Sequence, residues 1–183
     1  MKSNNLLDEV YKILALDNSK LTDIWLTHIV FSWRWWLLVG LSIIPWIIWF
    51  KIRNKNDTVR LLFVALVIGM VSNELDSTGI ALNLWHYDWK IFPTMPMYLP
   101  WDLTLLPVSI MLLLQFKPKI SKYIKAITYS FICAFIFEPL AESIGLYHII
   151  NWHYWYSFII YIVLYLCFNH LYESKLFRRQ SNL

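Results

Sequence analysis

Long apolar runs separated by short polar joints dominate the chain. Stretches of about 17–25 mostly apolar residues predict membrane-spanning helices, and five are legible, over 35–50, 61–82, 101–116, 123–146 and 155–172. The first and third are short and contain Pro45 and Pro107. Membrane helices tolerate proline where neighbours satisfy the freed carbonyl. Ahead of these runs, "LLDEVYKILALDNSKLTDIWLTHIVF" sets Leu6, Leu7, Val10, Tyr11 and Leu14 on one helical face. Leu21, Ile24, Trp25 and His28 repeat that spacing after a break at Asp17-Asn18-Ser19. The pattern predicts one or two helices lying on the membrane surface.

The expected fold is therefore all-α: a polytopic bundle of about five transmembrane helices. Residues 1–34 form an interfacial segment, 35–172 the membrane domain and 173–183 a basic tail. Composition agrees, at 58% hydrophobic and 15% charged, where soluble domains carry about 25% charged residues. The two cysteines, Cys133 and Cys167, fall inside predicted spans and read as apolar fillers rather than a disulfide or metal site.

Charge placement adds an orientation. Lys51, Arg53, Lys55 and Arg60 join spans one and two, and Lys117, Lys119, Lys122 and Lys125 join spans three and four. Lys175, Arg178 and Arg179 follow span five, whereas the two opposite loops hold only Lys90. The bias toward basic residues on the cytoplasmic side predicts a cell-membrane protein with its N-terminus outside and its C-terminus in the cytoplasm. No cleavable signal peptide is read, because the first apolar run starts behind an acidic segment. The same loops account for the net charge of +4, so nucleic acid is not an expected partner.

One phrase occurs twice. Asp76-Ser77-Thr78-Gly79 and Trp85-His86-Tyr87 correspond to Glu142-Ser143-Ile144-Gly145 and Trp152-His153-Tyr154, with one extra residue in the second copy. Spans two and four run in the same direction, so the chain reads as two parallel helix-pair repeats. Trp-His-Tyr fits an aromatic belt at the headgroup level, and Gly79 and Gly145 suit helix termination or close contact.

The candidate chemistry lies in the acids. Glu74, Asp76, Glu138 and Glu142 fall in the outer half of spans two and four, and Asp102 opens span three. Acids at membrane depth are costly unless paired or hydrated, and they usually face a polar interior and mark function. Nearby cations are few: Arg34, Lys90 and the histidines. A carboxylic acid held neutral can donate a proton, which makes these five acids the candidate catalytic set. Trp85, Trp101, Trp152, His86, His153 and Arg34 are the candidate substrate-binding residues, the indoles through their ring faces. No resident cofactor or metal is expected, since no His-x-x-His or Glu-x-x-His spacing occurs. Asp102 capping span three, and a hydrogen-bonded scaffold between helices, are the structural alternatives.

Two resemblances can be stated on these residues. "FSWRWWLLVGLSIIPWIIWFK", "LDSTGIALNLWHYD", "LPWDLTLLPV" and "FEPLAESIGLYHIINW" resemble a family of small multi-pass membrane proteins of Gram-positive bacteria, over nearly the whole chain. Residues 75–108 are similar to the membrane-embedded lycopene cyclase domain through Asp76, Gly79, Trp85, Pro100 and Asp102. That pattern has two adjacent Glu residues where this chain has Trp101-Asp102. The second resemblance implies acid-catalysed isomerase or cyclase chemistry on a polyprenoid. Three readings stand: an outer-leaflet site that binds or transforms an apolar lipid, a small proton- or cation-coupled carrier, and a non-catalytic membrane factor. The expected partners are membrane lipid and a second copy, because five helices enclose little volume.

Overall fold

The computed structural model describes residues 2–116 and 119–174, with side chains from residue 6 onward. Lys117 and the tail cations Lys175, Arg178 and Arg179 lie outside the described residues. Among the described residues the protein is an all-α bundle of six helices: α1 (Lys2–Ile24), α2 (Trp33–Ile52), α3 (Thr58–Ala81), α4 (Trp101–Gln115), α5 (Lys122–Ser143) and α6 (Tyr154–Glu173). Four of them, α2, α3, α5 and α6, are long and apolar enough to cross a membrane. The 20 residues of α2 or α6 reach about 30 Å, the thickness of a hydrocarbon core. Of the two spans expected to be short, the first is a full-length candidate, α2, and the third is the shorter apolar helix, α4, about 22 Å long at the same rise.

The helices alternate in direction. At one end Trp35 Nε1, near the start of α2, donates to Ile91 O in the α3–α4 loop (3.2 Å). At the other end Lys125 Nζ donates to Leu113 O and Phe116 O (2.6 and 2.9 Å), and Lys122 pairs with Glu173 (3.8 Å). The first is called the aromatic end and the second the basic end. Within the bundle α3 packs most extensively on α4, and α5 on α6, while α3 and α5 are not closely packed against each other. Trp49, Leu61, Ile68, Ile110, Met111, Tyr165 and Phe168 fill the main core. A smaller cluster of Leu38, Ile91, Tyr98 and Leu146 sits under the loops of the aromatic end.

Proline shapes α4 and α5 alike. Each contains a π-helical turn, Trp101–Leu105 or Cys133–Phe137, then one residue, then Pro107 or Pro139. A wider turn relieves the clash between a proline ring and the carbonyl four residues back. Pro107 lacks the N–H that would meet Leu103 O, and Trp46 Nε1 of α2 donates to that carbonyl instead (3.1 Å). In return Thr104 Oγ1 of α4 donates to Ser42 O (3.0 Å), beside the carbonyl that Pro45 leaves open in α2. Trp46 thus completes the backbone of α4 at its proline, as a low-dielectric surrounding demands.

The N-terminal segment differs from its expectation. No break occurs at Asp17-Asn18-Ser19, and α1 runs continuously to Ile24. Such residues disrupt helices by offering the backbone competing local bonds. Here Asn18 O accepts from Thr22 Oγ1 four residues on (2.8 Å), and Asp17 meets Lys20 (3.6 Å), so the polar groups stay on the helix. Chain reversal comes later, at a π turn over Trp25–Ile29 and at Phe31 with φ 62°. Leu6, Leu7, Val10, Tyr11 and Leu14 are all exposed.

Trp46→Phe removes the donor to Leu103 O and should cost about 1 kcal/mol. Pro107→Ala in that background restores an N–H and should recover part of the loss, as read from thermal melts of the four detergent-solubilised proteins in a double-mutant cycle.

Candidate functional site

The repeated phrase closes on itself in both copies. Tyr87 OH donates to Asp76 Oδ1 (2.7 Å), eleven residues apart, and Tyr154 OH donates to Glu142 Oε2, twelve apart. The extra residue of the second copy is absorbed in the loop. Both helices end in the same cap, in which the third residue beyond the helix bonds back across the last turn. For α5, Gly145 (φ 73°) takes the left-handed position while Leu146 N reaches Ala141 O (2.9 Å). For α3 that position is Asn83 (φ 55°), and Leu84 N reaches Gly79 O (2.9 Å). The aligned glycines therefore do different work. Gly79 lies inside its helix under the Trp85 indole, where an added Cβ would sit 2.1 Å from the ring. The loops then join as a two-strand antiparallel bridge, β1 (Trp85–His86) and β2 (His148–Ile149), with His86 opposite His148.

Beneath this bridge, between the α3–α4 and α5–α6 pairs, is a cavity of about 260 Å³. Ring walls come from Trp85, Trp101, Trp152, Tyr98, Tyr147 and Tyr161. Trp85 and Trp152, one from each copy, meet edge to face at 4.9 Å. Three acids line the cavity: Asp76, Asp102 and Glu138. Leu75, Thr78 and Phe137 also line it and are exposed, so it reaches the flank between α3 and α5.

Each acid is held by neutral donors. Asp76 Oδ1 accepts Trp85 Nε1 (2.9 Å) as well as Tyr87 OH. The Tyr98 amide is shared between Asp76 Oδ2 (3.1 Å) and Asp102 Oδ2 (2.8 Å), which brings the two carboxyl groups together. Ser72 Oγ donates to Asp102 Oδ1 (2.5 Å). Glu138 accepts Ser157 Oγ (2.9 Å) and Tyr161 OH (3.0 Å), and Trp152 Nε1 backs Ser157 (2.8 Å). The two pairs use the same parts in exchanged places, with Ser72 on α3 facing Asp102 on α4, and Glu138 on α5 facing Ser157 on α6. In both, the acid belongs to the helix with the π turn. Burial raises the Tyr87 phenol well above its ordinary value, with Asp76 adding to the effect, so it remains a protonated donor. Tyr98 and Tyr147 move in the same direction for the same first reason.

Of the residues singled out in the sequence, Asp76, Asp102, Glu138, Trp85, Trp101 and Trp152 surround the cavity. Glu142 is half-buried on Tyr154 and does not line it. Glu74 is exposed. It precedes Asp76 by two residues, about 200° around a helix, so the two acids cannot share a face. His86 and His153 are exposed, with His86 Nε2 on Asp88 (2.9 Å). Arg34 has its guanidinium over the Trp33 and Trp89 rings (4.9 and 4.7 Å) and is not part of the cavity lining. Ser72, Tyr87, Tyr98, Ser157 and Tyr161 escaped the sequence reading. The matched acid-to-tyrosine spacing was the one available signal, and it identifies Tyr87.

Among the described residues no three His, Cys, Asp or Glu side chains gather to hold a metal. Both cysteines are free, Cys133 buried and Cys167 exposed. No family model, curated protein or solved structure matches the chain.

Gly79→Ala should push Trp85 off Asp76. Overpacking of this kind costs about 1–3 kcal/mol, so a lower melting temperature and an altered tryptophan emission in detergent are expected. Gly40→Ala, where an added Cβ meets nothing nearer than 3.6 Å, should leave both unchanged.

Proposed function

We propose that the cavity binds an apolar lipid of isoprenoid type and acts on one of its double bonds by acid catalysis. The observation that carries this reading is the Asp76–Asp102 pair, joined through one amide, in an aromatic-walled cavity that reaches a membrane-facing flank. At about 260 Å³ the cavity falls just below the usual span for small-molecule sites, ~300–1,000 Å³. It suits one end of a long chain whose remainder lies between lipids.

In the proposed step, one member of the Asp76–Asp102 pair gives its proton to an alkene carbon, and the adjacent carbon becomes cationic. The faces of Trp85, Trp101 and Trp152 stabilise that charge. A C–H proton next to the cation then passes to a carboxylate, Glu138 or the original donor. A double bond reforms elsewhere, and no atom is gained or lost. Asp76, Gly79, Trp85 and Asp102, four of the residues similar to the lycopene cyclase domain, line this cavity.

The proposed setting is the cell membrane with the aromatic end outward. Lys51, Lys55 and Lys119 are exposed at the basic end, and such residues favour the cytoplasmic face.

Two measurements test these readings. Apolar lipids from cells making the wild type should contain an isomerised or cyclised polyprenoid. Asp76→Asn or Glu138→Gln should reduce it about 100-fold or more, the scale of a lost acid or base. Glu142→Gln, outside the cavity, should reduce it far less. Identical lipid mass spectra for wild type and Asp76→Asn at equal protein level would sink the enzymatic reading. For orientation, Asn83→Cys in a chain with Cys133 and Cys167 changed to Ala should react with an impermeant maleimide on intact cells, whereas Asn56→Cys should react only after lysis. The reverse pattern would invert the topology.

A further inference from the structure

Arg34 and Lys90 form a second, separate feature of the aromatic end. Arg34, in the first turn of α2, has its guanidinium carbon over both the Trp33 ring and the Trp89 ring (4.9 and 4.7 Å to the ring centres). Its Nε is buried without a hydrogen-bond partner. Lys90, next in the chain to Trp89, is half-buried and spends one donor on Met95 O (3.1 Å). Two indoles fix this stretch of loop, Trp25 Nε1 on Lys90 O (2.9 Å) and Trp35 Nε1 on Ile91 O (3.2 Å). Among the described residues neither cation forms an ion pair. Burial lowers Lys90 toward its neutral form, against the opposing pull of Asp76 and Asp102.

A guanidinium held over two indole rings is fixed in place, and its planar fork of N–H donors matches an oxyanion. An ammonium on the neighbouring residue supplies a second, movable donor set. Four tryptophans hold or flank the two cations at the level where indoles meet lipid headgroups. We infer that Arg34 and Lys90 hold the phosphate of a membrane lipid headgroup. Neither Arg34 nor Lys90 lines the carboxylate cavity, although Lys90 Nζ lies over the ring of Tyr87, which does (6.0 Å to the ring centre); the inference does not rest on what the cavity binds.

The test uses full-length protein in a mild non-ionic detergent, with retained lipid read by native mass spectrometry. The probes are dioleoyl phosphatidic acid, dioleoylglycerol with the same chains and no phosphate, and inorganic phosphate. One phosphatidic acid should be retained in preference to dioleoylglycerol. Arg34→Gln with Lys90→Gln should lower its occupancy about tenfold, the scale of losing charge-assisted bonds. Arg34→Lys, which keeps charge but loses the fork, should fall between. Lys51→Gln, at the opposite end of α2, should bind as wild type, and unchanged melting of each variant separates lost binding from lost fold. Equal retention of dioleoylglycerol, or an equal loss in Lys51→Gln, would overturn the inference. So would displacement of the lipid by millimolar inorganic phosphate, which would make the ligand a free oxyanion.

Discussion

Three carboxyl groups stand inside an apolar bundle, and the chain must meet each one with its own donors. Leaving a buried acid unmet costs several kcal/mol, and no lysine or arginine contacts Asp76, Asp102 or Glu138 among the described residues. The solution is a shell of hydroxyl, indole and amide groups. It explains why the α3–α4 loop folds back over its own helix, since Trp85, Tyr87 and the Tyr98 amide all have to reach Asp76. It also explains the crowding at Gly79, where the indole that serves Asp76 takes the room of a side chain.

The same constraint organises the two helix pairs. Each has one serine facing one acid across the pair, but the order is reversed between them. A π turn accompanies the acid both times, with Asp102 inside it in α4 and Glu138 directly after it in α5. Widening one turn rotates the residues beyond it relative to a regular helix, so in α5 it sets where the Glu138 carboxyl points. The aligned phrase is thus a shared fastening of acid to tyrosine, while the exchanged serines and acids make the cavity unsymmetrical.

Much of the bundle was legible because hydropathy and length decide helix placement in a membrane. The observed helices begin and end within a few residues of the apolar runs. Asp76, Asp102 and Glu138 were legible as acids out of place. Glu74 was misleading for a simple reason: position along a span reports depth, and only angle around the helix reports direction. The donors Ser72, Ser157 and Tyr161 could not be read, because they are ordinary residues of apolar helices until a partner from another helix arrives. The continuous course of α1 through Asp17-Asn18-Ser19 shows the same limit from the other side. Helix-breaking types act through competing bonds to the backbone, and here the Asp17 side chain instead meets Lys20 on the same helix.

The flank where Leu75, Thr78 and Phe137 meet the cavity has a consequence for how occupancy is set. A molecule that enters there has already dissolved in the bilayer, so its concentration is a mole fraction of the leaflet rather than a molarity in water. Saturation would then follow the lipid-to-protein ratio, and diluting a suspension of vesicles at fixed composition would leave the bound fraction unchanged. Two-dimensional encounter also makes arrival depend on bilayer viscosity, so a stiffer, more saturated membrane would slow filling of the cavity without altering a single contact inside it.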